Sequence, residues 1–347
     1  MRLFNRLLII ATLLAFAVIA LGAYVRLSHA GLGCPDWPGC YGHLLGVPEA
    51  SHVQLAANQA YPERPVESAK AWKEMIHRYF AGTLGLLILA LCLLSWRAAL
   101  RRQQSPALPT VLLGIVSLQA ALGMWTVTLL LKPLIVTLHL LGGMSTLALL
   151  IALTLKRNST LPSTRSGSDL RLPAAIALLA IILQIALGGW VSSNYAALAC
   201  SDFPLCQNSL LPNMDFGQAF SLQRELGQTA DGNLLSLEAL TAIHWSHRLG
   251  AIVVLLSVGT LATALLRSGA KIQGSLLLGL LAIQILLGIG NVLLSLPLPL
   301  AVAHNAGAAC LLSLTLMINI QLQRVTAKCC GQPENSGKKI GEPHWLA

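Results

Sequence analysis

The chain has 347 residues, of which 55% are hydrophobic and 10% charged, with a net charge of +10 and a mean hydropathy of +0.69. No soluble domain needs so much apolar surface, so a soluble globular protein is excluded. The positive balance does not imply nucleic acid binding, because its distribution follows the helix topology.

Eight runs of about 20 apolar residues, the length a helix needs to cross a bilayer core, occur at 7–27, 75–96, 109–131, 134–155, 173–191, 242–266, 275–296 and 300–322. The first run is too long, and too well matched to the fifth, to be a cleaved signal peptide. The termini and the connections after helices 2, 4 and 6 carry 15 Lys and Arg, whereas the opposite connections carry five. The positive-inside rule therefore puts both termini in the cytoplasm. No transit segment precedes the first helix, which points to a bacterial inner membrane. The long connections 28–73 and 192–241 fall on the outer side. The turns after helices 3 and 7 are tight and marked by Pro133, Pro297 and Pro299.

The sequence is written twice. Gly22 and Gly188 are 166 residues apart, as are Cys34 and Cys200, and Cys40 and Cys206. Gln119-x3-Gly123 returns as Gln284-x3-Gly288, His77-Arg78 as His247-Arg248, and His139 as His304. A repeat this long is a duplicated domain. The expected fold is all-α and integral to the membrane, with eight transmembrane helices in two pseudo-symmetric four-helix bundles. Residues 1–160 form the first bundle, 161–325 the second, and 326–347 a polar, flexible cytoplasmic tail.

Five of the nine histidines lie in or beside the helices: His77, His139, His244, His247 and His304. In an up-down bundle helices 2 and 4 are diagonal, so His77 and His139 can face each other at similar depth, and His247 can face His304 likewise. Two imidazoles facing across an apolar four-helix core suit a bis-histidine haem. The competing structural reading is a pair of hydrogen-bonded histidines gluing helices together. A zinc or copper site is a weaker rival, because neither half supplies further ligands at that depth. Arg78 and Arg248 each follow a ligand candidate and can pair with haem propionates or snorkel to the interface. Arg26 is a further propionate candidate, in the first half only.

The copies differ one turn before the helix 2 and helix 6 histidines. Glu74 precedes His77 by three residues, where the second half has His244. A carboxylate at one pocket only points to acid/base or hydroxylation chemistry in the first half, with a permanent redox cofactor in the second. The alternative for Glu74 is a residue favoured by the helix macrodipole. Cys34/Cys40 and Cys200/Cys206 lie in outer loops, where two small-loop disulfides are expected, structural or redox-active. No C-x-x-C-H motif for covalent haem attachment is present. Cys92 and Cys310 read as packing residues, and Cys329 and Cys330 as reduced thiols.

Gly22-Ala-Tyr-Val-Arg26-Leu-Ser with Gly31-Leu-Gly-Cys34-Pro-Asp-Trp37-Pro resembles the first-loop signature of the haem A synthases. Glu74-Met-Ile-His77-Arg78 resembles that family's Glu-x-x-His-Arg helix, and the resemblance extends over about residues 7–322. It implies a membrane oxidoreductase that converts the methyl group of haem O to the formyl group of haem A for cytochrome oxidase assembly. His77 and His139 would then ligate the substrate haem with Glu74 acting beside it, and His247 and His304 would ligate a haem b cofactor. His244 adds a second candidate ligand near His247. Expected partners are the bilayer, a haem O synthase that hands over substrate, and an electron-transfer partner. Two other classes compete: a di-haem b electron-transfer protein, which would hold two permanent haems, and a haem carrier, which would not need Glu74.

Overall fold

The computed structural model describes residues 2–97, 105–157, 170–229 and 232–330, with side chains up to 324 in the last helix. Among the described residues, eight helices are long and apolar enough to cross a membrane. They are α1 (Arg2–Leu27), α2 (Ser68–Trp96), α3 (Ala107–Thr128), α4 (Pro133–Arg157), α5 (Arg171–Ser193), α6 (Leu237–Arg267), α7 (Lys271–Leu293) and α8 (Leu298–Cys330). The short helices Ser51–Ala60 and Phe216–Ala219 lie in the two long outer loops. Helix α8 runs five residues into the expected tail, and the rest of that tail, 331–347, lies outside the described residues.

Helices α2 and α6 begin well before their apolar runs, at Ser68 and Leu237. Charged residues (Lys70, Lys73 and Glu74 in α2, Glu238 in α6) precede the apolar runs, so hydropathy does not mark these starts. The Ser236 side chain caps α6 by accepting from the Ala239 N–H at 3.2 Å. His77 therefore sits more than two turns into α2, deeper than the apolar run alone implies. The tight turns are built alike in both halves: Leu130 and Leu131, and Ser295 and Leu296, all have left-handed backbone. The Leu131 and Leu296 N–H groups reach back to Thr126 (2.8 Å) and Asn291 (2.7 Å) carbonyls, closing the ends of α3 and α7.

Helix packing runs α1–α2–α3–α4 with α4 back on α1, and α5–α6–α7–α8 with α8 back on α5. Helices α2 and α4 are thus both flanked by α1 and α3, and α6 and α8 by α5 and α7. Between the halves, α1 packs on α8 and α4 packs on both α5 and α8. One apolar core passes through all eight helices, from Phe4 and Leu8 through Ile88, Leu150, Ala177 and Leu261 to Leu277 and Leu311. Most of these residues lie toward the ends remote from the long loops, which leaves the loop-side ends for the histidines.

Candidate active site

Each of the four histidines at matched positions rests against a glycine of the preceding long helix. A Cβ added at Gly22 on α1 would lie 3.0 Å from Cε1 of His77 on α2. The corresponding separations are 3.4 Å for Gly123 and His139, 3.1 Å for Gly188 and His247, and 3.1 Å for Gly288 and His304. A Cβ at Gly22, Gly188 or Gly288 would push its ring by a few tenths of an ångström, whereas at Gly123 it would reach ordinary contact, so these glycines let the helices approach closely. The four imidazoles are half-buried. Nδ1 of His77, His139 and His304 is buried and makes no hydrogen bond. His77 lies within electrostatic reach of His139, and His247 of His304. Half-buried rings with unspent nitrogens, set in pairs among apolar helices, fit the needs of a bis-histidine haem. Among the described residues no three His, Cys, Asp or Glu side chains converge, so the zinc or copper reading finds no cluster to occupy.

Glu74 is buried, and its carboxylate is divided between two partners. Oε1 receives Arg78 Nη2 at 2.5 Å, and Oε2 accepts from the Cys34 N–H at 3.0 Å. Arg78 Nη1 donates to the carbonyls of Asp36 (3.0 Å), Pro38 (3.3 Å) and Gly39. The second half repeats this arrangement with an imidazole in place of the carboxylate. His244 is buried, its Nδ1 accepts from the Cys200 N–H at 3.3 Å, and Arg248 Nε lies 3.3 Å from its Nε2. Arg248 donates to the carbonyls of Leu205 (2.7 Å), Cys200 (2.8 Å) and Asp202 (2.9 Å). His244 is thus occupied with the loop, while His247 stands against Gly188. Arg78 and Arg248, read from the sequence as propionate partners, spend these donors on loop carbonyls.

The loops these arginines hold are disulfide-closed, Cys34 to Cys40 and Cys200 to Cys206. Asp36 accepts from the N–H groups of Tyr41 (2.6 Å) and Gly42 (2.8 Å), and Asp202 from those of Gln207 (2.7 Å) and Asn208 (2.8 Å). The Asn208 amide, joined by that of Gln207, holds the Asp202 carboxyl below its ordinary range. Gly33 brings the first loop onto α2: a Cβ there would lie 2.6 Å from the backbone carbon of Lys70. Neither backbone can yield cheaply, so Gly33→Ala is expected to lift Cys34 from Glu74 and cost about 1–3 kcal/mol. A lower melting temperature in detergent would register it; an unchanged one would show that the loop adapts.

Arg26 crosses between the halves, donating to Tyr195 Oη (2.7 Å) and to the carbonyl of Ser192 (2.7 Å), its own repeat counterpart. Its Nε is buried and unpartnered. Sequence reasoning missed Arg224, a fully buried arginine that donates to Asn194 Oδ1 at 2.7 Å and faces the Trp190 ring. Burial pushes its pKa down. A lone arginine in a polar loop gives no periodic signal that would have found it.

The chain matches the cytochrome oxidase assembly protein family COX15-CtaA over residues 5–316. It is 44% identical over 318 residues to a protein of Shewanella oneidensis named "Heme A synthase", covering 90% of this chain and 94% of that one. A protein of the same name from Chelativorans sp. (strain BNC1) is 30% identical over 313 residues, covering 84% of this chain and 83% of its own length.

Proposed function

The chain belongs to the cytochrome oxidase assembly protein family COX15-CtaA, and from that premise we propose how its residues do the work of a haem A synthase. The reaction is an oxidation at carbon, taking a methyl group of haem O through the alcohol to the formyl group of haem A. The proposal makes the two halves a pair of four-helix bundles with different tasks. His77 and His139 bind the iron of the substrate, and His247 and His304 hold a resident haem b. When bound, haem b supplies one-electron redox capacity.

The observation that carries this division is the exchange of Glu74 for His244 at otherwise equivalent anchors, one turn before the two equivalent histidines. Among the described residues, only the first half has a buried carboxylate beside its histidine pair. Glu74 can take a proton as the methyl group is oxidised, while Arg78 and the Cys34 N–H fix the direction its oxygens face. The histidines orient the macrocycle so that one methyl group is presented to that carboxylate, and the apolar helix walls exclude water from it. For the propionates we assign the remaining guanidinium hydrogens of Arg26, Arg78 and Arg248 at the loop ends of their helices. The unpartnered Nε of Arg26 supports its inclusion.

We further propose a bacterial inner membrane with both termini cytoplasmic, an orientation that the distribution of basic residues supports. An apolar substrate can then enter sideways between helices from the bilayer or from a haem O synthase, and an electron-transfer partner must meet the chain as well. Haem extraction and chromatography of membranes tests the whole reading. Cells making haem O should yield haem A only when this chain is expressed. Haem O and haem b alone, with the chain present in the membrane, would overturn it.

A further inference from the structure

Each long outer loop carries a pair of exposed leucines, and the two pairs are copies of one another. Leu44-Leu45 follows the first disulfide loop, and Leu210-Leu211 follows the second 166 residues later. Leu44 is 72% exposed, Leu45 82%, and Leu210 and Leu211 72% each. Apolar side chains left in water are unfavourable, yet this chain presents them twice, at matched positions. Their mount is rigid in both halves. Cys40 and His43 exchange backbone hydrogen bonds of 2.8 and 3.1 Å across Tyr41 and Gly42. Cys206 and Ser209 exchange bonds of 2.9 and 3.1 Å across Gln207 and Asn208. All four residues inside these turns have left-handed backbone. A disulfide-closed turn, rather than loose chain, presents each leucine pair.

What covers the leucines follows from where the tips are tied. The Gly46 N–H donates to Tyr79 Oη at 2.7 Å, and Trp245 Nε1 donates to the carbonyl oxygen of Leu210 at 3.1 Å. Tyr79 on α2 and Trp245 on α6 each lie about one turn inside the apolar run of their helix. Both head a stripe of exposed apolar side chains: Leu86 and Leu93 beyond Tyr79, and Leu249, Ile252 and Leu256 beyond Trp245. On spanning helices such stripes face lipid, and Tyr and Trp at their ends sit at headgroup level. The two ties use different residues and atoms, yet bring equivalent tips to equivalent helices. Four spans separate the two loops, so both tips meet the same leaflet. The leaflet is a surface both tips share, whereas a protein partner has no reason to meet two separate pairs alike.

We propose that Leu44-Leu45 and Leu210-Leu211 are paired anchors that insert into the leaflet on the long-loop side, beside α2 and α6, and seat both disulfide loops in the membrane surface. Trp37 and Phe203, exposed aromatic residues 166 apart in the same loops, add side chains suited to headgroup level. In the first half the anchored loop is the one whose Cys34 N–H holds Glu74 and whose Asp36 carbonyl holds Arg78. In the second it is the one tied to His244 and Arg248. Lipid thereby steadies the loops that fix the outer ends of α2 and α6.

The test is photo-crosslinking in membranes of cells expressing the full-length chain, with p-benzoylphenylalanine in place of Leu45 or Leu211. Two further positions calibrate it: Leu86, on the lipid-facing stripe of α2, and Glu63, exposed and charged in the first outer loop. After irradiation and purification, intact-mass measurement should show the gain of one phospholipid at 45, 211 and 86, and none at 63. A protein adduct in place of lipid at 45 or 211 would overturn the proposal and make the tips a protein-docking surface. No adduct at either tip, with lipid captured at 86, would overturn it too, since the tips would then stand in water. Lipid capture by one tip alone has the same consequence, because the anchor is inferred as a pair. Positions 44 and 210 carry the same prediction and replace any variant that fails to fold, judged by its melting temperature in detergent.

Discussion

Replacing Glu74 by glutamine or by histidine is expected to cut haem A formation by at least about 100-fold while the chain still folds and keeps its second haem. The two substitutions separate chemistry from architecture. Glu74 has structural work, because it anchors the Cys34 N–H and pairs with Arg78. Removing one member of a buried ion pair by truncation costs about 3–5 kcal/mol, so Glu74→Ala would confound a lost proton acceptor with a loosened loop. Glutamine keeps an oxygen for the Cys34 N–H. Histidine goes further, since it installs the arrangement the second half already uses, with His244 between the Cys200 N–H and Arg248. The fold therefore tolerates an imidazole as this anchor. Haem A measured against haem O in membrane extracts, beside the low-spin spectrum of the second haem, gives the result. If Glu74→His made haem A at the parent rate, Glu74 would be an anchor and nothing more.

The same comparison shows how much of the site was legible in the sequence and where legibility stopped. Eight apolar runs predict eight spanning helices because lipid leaves the backbone no other way to satisfy its hydrogen bonds. Helix starts were misplaced where charged residues precede the apolar run, as at Ser68 with Lys70 and Lys73 after it, because hydropathy does not register a helix outside the apolar span. The doubling could be read from residue offsets alone, and it extends to backbone detail that no composition reveals. Tyr41 and Gln207, 166 residues apart, share left-handed backbone, and the peptides before Pro38 and Pro204 are both cis. The Glu74 and His244 exchange was visible, but its meaning was only half visible. Spacing put His244 one turn from His247 and made it a rival ligand; only three-dimensional contact shows it bonded to the Cys200 N–H. Three glutamines, Gln119, Gln184 and Gln284, whose amides fill the space over Gly142, Gly250 and Gly307 on the next helix, were harder still. The Gln-x3-Gly spacing of α3 and α7 stood out, yet the same spacing at Gln184 and Gly188 went unremarked. What makes the set coherent is a glycine on a different helix, and contact between helices leaves no local pattern.

The division of labour between His244 and His247 yields the second large effect. Under the proposed assignment, His247→Ala and His304→Ala are each expected to remove the low-spin spectrum of the haem b proposed for the second half, because an alanine would leave the iron one donor short. His244→Ala should retain that spectrum. Its imidazole lies between the Cys200 N–H and Arg248, so its loss frees the loop that Arg248 ties through Leu205, Cys200 and Asp202. The cost falls on stability: an unsatisfied buried donor and a weakened arginine anchor together are worth about 1–3 kcal/mol. Haem content per chain by pyridine haemochrome, paired with thermal melting, resolves the two kinds of loss. His247→Ala and His304→Ala should lower haem content, whereas His244→Ala should lower the melting temperature with haem content unchanged. Should His244→Ala empty the site while His247→Ala leaves it filled, the ligand would be the residue one turn earlier. The resemblance between the halves would then break at the metal itself, because the equivalent of His244 in the first half is a carboxylate, and the close approach of Gly188 to His247 would have to serve packing alone.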